Sequence, residues 1–315
     1  MPSNAPIGVF DSGLGGLSVV RAVRALLPHE SLIYVADSRY APYGERPDAF
    51  IQHRSLAIAR WLRERGAKAF VVACNTATAH GVAALRADDA WPVVGVEPGI
   101  KPAAATSRSG VIGVLATAAT LRSARFANLL ARHTAQGQRF LCQPGHGLVE
   151  RIEAGDVDSP AVMALLDKYI APMIAEGADT LVLGCTHYPF LIPAIQRHFG
   201  TALMLIDTGA AIARQLQRRL EEADLAAPAI AGNAGSAGTN GSIQLFTTAN
   251  AVALQTMADR LMPEAPATPG STAATDVSHI CATSDAVSSH PAAPRVATVE
   301  IAETAPQAAA GLALP

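Results

Sequence analysis

Two of the four cysteines, Cys74 and Cys185, end apolar runs of similar type, in AFVVACNTATAH and TLVLGCTHYPF. Each is followed within two residues by a threonine, Thr76 or Thr186. A thiol at the end of a parallel strand lies at the carboxyl edge of the sheet, where open α/β sheets bind ligands. The next helix starts there, and its positive end favours a thiolate. Asn75, Thr76 and Thr186 add small hydrogen-bonding groups able to cradle a carboxylate. A cysteine ending an apolar run is ordinarily a small buried residue. Two in matching settings suggest another use. Thiols on opposite sides of one carbon could remove a proton from one face and return another to the opposite face, inverting a stereocentre.

Other residues fit the same cleft. FDSGLGG places Asp11 and Ser12 at a strand end, with Gly13, Gly15 and Gly16 allowing close backbone approach. It lacks the lysine of a phosphate loop and does not match G-x-G-x-x-G. Asp11 would serve equally as a helix N-cap. RYAPYGERP, with Pro42, Tyr43 and Gly44, reads as a polar loop or a plain turn. His187 lies two residues beyond Cys185, where it could tune the thiol.

The elements that must position these residues alternate between strand and helix. PIGVFDSG, SLIYVAD, AFVVAC, PVVGVEP, GVIGVLAT, TLVLGC and ALMLID read as strands. LSVVRAVRALL, AFIQHRSLAIARWLRERG, LRSARFANLLARH and AVMALLDKYIAPMIAEG read as helices. Such alternation predicts an α/β fold of mostly parallel sheets flanked by helices. The grammar also restarts midway. IGVFDS from Ile7 aligns with IGVLAT from Ile112, FVVACNT with LVLGCTH, and GVEPG around Glu97 with LIDTG around Asp207. Gly8 to Cys74 spans 66 residues and Gly113 to Cys185 spans 72; the next intervals, to Glu97 and Asp207, are 23 and 22. This predicts two similar domains related by pseudo-twofold symmetry, with the site in the cleft between them. The expected division is 1–97 plus 208–262 for the first, and 98–207 for the second.

IQLFTTAN and AVALQTMADRLM read as one more strand and helix. Beyond them, residues 263–315 hold 7 of the 21 prolines, with many Ala, Ser and Thr. That stretch is expected to be a disordered tail. A chain ending at Ala267 is therefore expected to fold and act normally, with Cys281 and Cys142 as bystanders.

With 24 basic and 26 acidic side chains, the chain carries a net charge of −2 and no basic face for nucleic acid. No apolar run approaches a membrane span. MPSNAPIGVF lacks the marks of a signal peptide, so a cytoplasmic protein is expected. There, unpaired cysteines point to catalysis or metal binding rather than cross-links. A redox pair would want C-x-x-C, which is missing, and a zinc site would want more ligands than Cys74, Cys185 and His187.

FDSGLGGLSV, ADSRYAPYGERP, ACNTATA, GVEPGIKPA, GVLATAATLRS, LVE at Leu148 to Glu150, and LGCTHYP follow one another between Ile7 and Gly209. In order and spacing the sequence resembles the glutamate racemases of the aspartate/glutamate racemase family. The resemblance favours glutamate over aspartate, because aspartate racemases carry glutamate where His187 stands. It implies a cofactor-independent enzyme, without metal, in which Cys74 and Cys185 are the acid–base pair and Asp11 and His187 assist them. It further implies substrate contacts at Asp11, Ser12, Tyr43, Gly44, Asn75, Thr76, Thr117, Thr120, Thr186 and His187. Glu150 matches a further glutamate near the site, with Glu153 close behind it. Ala116 stands where many members have glycine. The implied partner is the small-molecule substrate, glutamate; self-association into a homodimer is left open. D-glutamate would serve peptidoglycan synthesis. Some relatives carry an N-terminal extension tied to control by a wall precursor, and so little precedes the first strand here that this mode is not expected. No lysine stands in these motifs for a pyridoxal Schiff base; Lys101, in PGIKPA, reads as part of a domain connection. The alternatives are a racemase of another small amino acid such as aspartate, or a non-racemase thiol redox or metal-binding protein.

Overall fold

Strands buried on both faces must be apolar at successive positions, and Val9 and Phe10 show the consequence. Val9 joins a core on one side of its sheet and Phe10 a core on the other. The computed structural model describes residues 3–87, 91–134, 136–228, 241–261 and 295–301. In chain order the first half runs β1 (Ile7–Asp11), α1 (Leu17–Leu26), β2 (Leu32–Ala36), α2 (Asp48–Glu64), β3 (Ala69–Val72), α3 (Asn75–Arg86) and β4 (Val93–Gly95). After α4 (Ile100–Thr106), the second half runs β5 (Val111–Ala116), α5 (Ala118–Arg122), α6 (Ala124–Thr134), β6 (Arg139–Pro144), α7 (Leu148–Glu153), α8 (Pro160–Ala175), β7 (Thr180–Gly184), α9 (Ile192–Phe199) and β8 (Met204–Ile206). The chain then returns to the first sheet through α10 (Gly209–Glu222), β9 (Ile243–Thr247), α11 (Ala251–Leu261) and β10 (Arg295–Thr298).

Among the described residues every strand pairing is parallel. One sheet has the order β10-β9-β2-β1-β3-β4, the other β6-β5-β7-β8. The segments β2-β1-β3-β4 and β6-β5-β7-β8 are thus the same arrangement twice. The sequence repeat maps onto it: β1 corresponds to β5, β3 to β7 and β4 to β8. Gly8 and Gly113 explain one shared feature. A Cβ on Gly8 would come within 2.9 Å of Leu62 on α2, and one on Gly113 within 2.6 Å of the Met173 sulfur on α8. In each half, a mid-strand glycine lets the crossover helix lie close on its sheet.

Helices cover both faces of each sheet. In the first, α1, α10 and α11 bury Val20, Leu216 and Leu254 against Val9 and Val71. On the opposite face α2 and α3 bury Ile58, Leu62 and Val82 against Phe10, Phe70 and Val72. In the second, α7, α8 and α9 pack Leu148, Leu166 and Ile195 on Leu181 and Leu183, while α4 and α6 pack Ile100 and Phe126 on Val114 and Val182.

Three readings from sequence need correction. LRSARFANLLARH is not one helix: the chain breaks at Ser123, which caps α5 with extended backbone. The Ser123 hydroxyl donates to the Thr120 carbonyl and accepts the Phe126 N–H, so it serves both helix ends. No span is read from the sequence for β6, α3, α4, α7, α9 or α10, which the structure adds. The most consequential correction concerns the tail. Arg295–Thr298 forms β10, parallel to β9, and Ile301 is buried in the same core as Phe10. The expectation of a wholly disordered 263–315 fails there because RVATVEI alternates. Val296 packs on one face of the sheet, Val299 and Ile301 on the other. Composition averaged over 53 residues hides so short a pattern. A chain ending at Ala267 would lack this strand. The rest of the tail, including Cys281, lies outside the described residues.

Candidate active site

β1 and β7 end where their sheets offer carboxyl edges, and most of the candidate residues gather there. Asp11, the last residue of β1, is fully buried. Its Oδ1 accepts the Gly13 N–H at 2.8 Å, and its Oδ2 accepts the Thr186 hydroxyl at 2.8 Å. One carboxylate therefore shapes its own turn and reaches across to the other half. Ser18 on α1 makes a second bridge, donating to the Thr186 carbonyl at 3.1 Å.

Cys74 follows β3 and caps α3, with the Ala77 N–H donating to its sulfur at 3.4 Å. The Ser12 hydroxyl is 3.3 Å from the same sulfur. Cys185 follows β7 and lies 3.7 Å from Nδ1 of His187. Both thiols are about equally shielded, 5 % and 6 % exposed.

Facing residues complete the wall. Thr76 on α3 and Thr117 at the cap of α5 share a hydrogen bond of 3.0 Å between their hydroxyls, and Thr117 donates to Thr120 at 2.9 Å. Gly44 packs against Thr117, where an added Cβ would come 3.4 Å from the threonine Cβ. Asn75 is buried, and its side-chain NH₂ has no partner among the described residues. A buried unsatisfied donor costs about 1–3 kcal/mol, which a ligand acceptor would recover. The Tyr43 hydroxyl donates to Asp37 at 2.6 Å, so that ring is committed to the protein and its loop has main-chain groups to offer. The Ala116 methyl fills the space opposite Gly184, where a second Cβ would approach to 2.8 Å.

Glu150 and Glu153 separate cleanly. Both lie on α7, but Glu150 is exposed and Glu153 turns inward. Glu153 Oε1 is 2.5 Å from Nε2 of His187 and accepts the Leu14 N–H at 2.7 Å. Glu153, not Glu150, is the one that reaches His187; the two share a helix face, about 60° and about 4.5 Å apart, and only the second turn of α7 meets the Gly13–Leu14 corner. Gly13 and Gly15 explain why this corner needs glycine. A Cβ on Gly13 would overlap the Glu153 carboxylate, and one on Gly15 the His187 ring.

The charges follow from burial and these contacts. Burial pushes the Cys74 thiol up to about 12, and the Asp11 carboxylate adds to the effect. Burial also raises Asp11, against the opposing pull of His187. For Glu153 burial works upward, but the hydrogen bond and charge of His187 prevail and hold it below the usual carboxylate range. Burial would lower His187, yet its hydrogen bonds to Cys185 and Glu153 keep it protonated well above the ordinary imidazole range. At neutral pH the arrangement is a neutral thiol at Cys74 and an imidazolium 3.7 Å from Cys185.

Two other candidates fall elsewhere. Cys142 sits exposed on the edge strand β6, and Lys101 is exposed on α4. Among the described residues no three His, Cys, Asp or Glu side chains group to hold a metal ion. No helix among them is long and apolar enough to cross a membrane.

Two parallel sheets of matching strand order thus each carry a buried thiol at an equivalent strand end. The chain belongs to the Asp/Glu/Hydantoin racemase family, whose model matches residues 17–216. Its relatives are more specific. It is 62% identical over 222 residues to the glutamate racemase of Cupriavidus pinatubonensis, covering 70% of this chain and 81% of the relative. It is 57% identical over 264 residues to that of Ralstonia nicotianae, covering 84% and 92%. The Escherichia coli glutamate racemase, solved with L-glutamate and the activator UDP-MurNAc-ala, superposes with a TM-score of 0.70 at 37% identity, covering 82% of this chain and 95% of that one.

Proposed function

We propose that this protein interconverts L- and D-glutamate without a cofactor, using Cys74 and Cys185 as opposed acid and base. One thiolate takes the α-proton and becomes a thiol. The other thiol gives its proton to the opposite face and becomes the thiolate. The return reaction exchanges the two roles, so protons and charge balance in each direction.

The observation that best supports this reading is the pairing itself: two buried thiols at equivalent strand ends, each with a different charged neighbour. Cys74, pushed to about 12, is suited to hold a proton until it is delivered. The His187 imidazolium, held in place by Glu153, stabilises negative charge on the Cys185 sulfur. The α-proton is a very weak acid, so the negative charge that develops at Cα must spread into the α-carboxylate. Fixed donors in a dry site do this at no reorganisation cost. The free NH₂ of Asn75 and the backbone N–H groups at the starts of the helices are such donors, while the Thr76 hydroxyl is spent on Thr117, whose own hydrogen goes to Thr120.

The substrate would lie in the cleft between 1–97 plus 208–262 and 98–207. The reaction would take place in the cytoplasm, where thiols stay reduced, and supply D-glutamate for peptidoglycan. The test is chiral chromatography of L- or D-glutamate incubated with the pure protein alone. Both should approach an equal mixture. No conversion of glutamate with conversion of aspartate would overturn the substrate, and no conversion of either would overturn the reaction.

A further inference from the structure

Arg54, on α2, is fully buried, and its bonds lead in two directions. Its Nε donates to Asp37 Oδ2 at 3.0 Å and its Nη2 to Asp37 Oδ1 at 2.7 Å, a two-point ion pair. Its Nη1 donates at 3.0 Å to the carbonyl of Ile301, beyond β10. The guanidinium also lies over the Tyr40 ring, 4.4 Å from the centroid. Asp37 in turn accepts the Tyr43 hydroxyl at 2.6 Å, and its own N–H donates to the Asp11 carbonyl at 2.9 Å. Tyr43 opens the short turn that sets Gly44 against Thr117.

A continuous path therefore runs from the last described residue to the wall of the cleft. We propose that Arg295–Ile301 is a strap that positions the Tyr43–Gly44 loop through Arg54 and Asp37. The segment lies outside the residues that carry the family match. It is held by the pairing of β10 on β9, by the Val299 N–H donating to the Thr247 carbonyl at 2.9 Å, and by the buried Ile301 side chain. A buried arginine needs every donor satisfied, because an unpaired N–H on a buried charge is costly. When Ile301 leaves, Arg54 must find water, and its hold on Asp37 and the Tyr40 ring loosens. Tyr43 is then anchored to a carboxylate that is no longer fixed. Arg54, Asp37 and Ile301 are positioning residues in this scheme, and none takes part in proton transfer.

The kinetic consequence rests on the glutamate reading, but the mechanical one does not. The experiment compares the full chain with Ile301→Asp, Val299→Pro and the conservative Ile301→Val. The first puts a charge into the core, the second removes the donor to Thr247, and the third keeps both the carbonyl and an apolar side chain. KM for glutamate should rise about ten-fold in the first two, the loss expected for one hydrogen bond to a charged group. kcat should change little, and Ile301→Val should match the parent. Amide exchange at residues 43–46 should quicken in the same two variants. Unchanged KM and unchanged exchange in both would overturn the strap. So would a uniform loss of folded protein in which the surviving fraction has parental KM. If the parent does not racemise glutamate, the functional reading fails, and the exchange data alone decide: faster exchange at 43–46 supports the strap, and parental exchange overturns it.

Discussion

Cys74→Ser and Cys185→Ser should each lower racemisation at least about a thousand-fold, equivalent to ~4 kcal/mol of barrier. Serine preserves size and hydrogen bonding but is a far weaker acid. In Cys74→Ser the donor would hold its proton too firmly to release it to a developing carbanion. In Cys185→Ser an alkoxide would have to form beside His187, and the imidazolium would sooner give up its own proton. Each loss should be seen from both enantiomers, since in the proposed mechanism each thiol would act in both directions. The measurement is initial rate by circular dichroism, with substrate binding followed separately by calorimetry. Both variants should still bind glutamate, because the proposed cradle around Asn75, Thr76 and Thr186 is untouched. Full activity in either variant would remove that cysteine from the mechanism.

His187→Asn is expected to lower kcat about a hundred-fold, within the range for a positioned acid–base group. Asparagine can reach toward the Cys185 sulfur but carries no charge. It also leaves Glu153 with the Leu14 N–H as its remaining protein donor, so a carboxylate once neutralised by an imidazolium sits uncompensated near the thiol. The enantiomers have equal free energy, so kcat/KM must fall equally in the two directions. kcat and KM taken singly can diverge, and the divergence should appear because His187 touches only one of the thiols. A variant in which KM rises and kcat is untouched would make His187 a binding residue instead.

The repeat was the most readable feature of the sequence, for a physical reason. A strand buried on both faces must be apolar throughout, and the turn that follows is polar or small, so IGVFDS and IGVLAT carry strand and turn in the same few residues. The mid-strand glycines Gly8 and Gly113 belong to that signal, since each makes room for a crossover helix. β6 was not readable, because an edge strand with half its surface in solvent has no continuous apolar run. α7 is too short to show a helical period, and this left Glu150 and Glu153 unresolved. The spacing that could have decided between them is tertiary. Glu153 is selected by Gly13, Leu14 and His187, which lie far from it along the chain. β10 was lost for the opposite reason: seven informative residues stood within a long stretch of Ala, Pro, Ser and Thr. Arg54 was equally hidden. In AFIQHRSLAIARWLRERG it looks like one of several solvated arginines, and only the fold turns it inward onto Asp37.

The central claim is that two groups, on opposite faces of the carbon, handle two different protons. It is tested most directly by running the reaction in D₂O and stopping it early. L-Glutamate should give D-glutamate carrying deuterium at Cα, because the delivering thiol has exchanged with solvent. The L-glutamate that remains should stay unlabelled, because the proton it loses rests on the other sulfur and returns if the step reverses. Starting from D-glutamate should give the mirror result. D-glutamate that keeps its original hydrogen, or α-deuterium entering both enantiomers at the same early rate, would mean that a single base serves both faces, and the two-thiol account would be wrong.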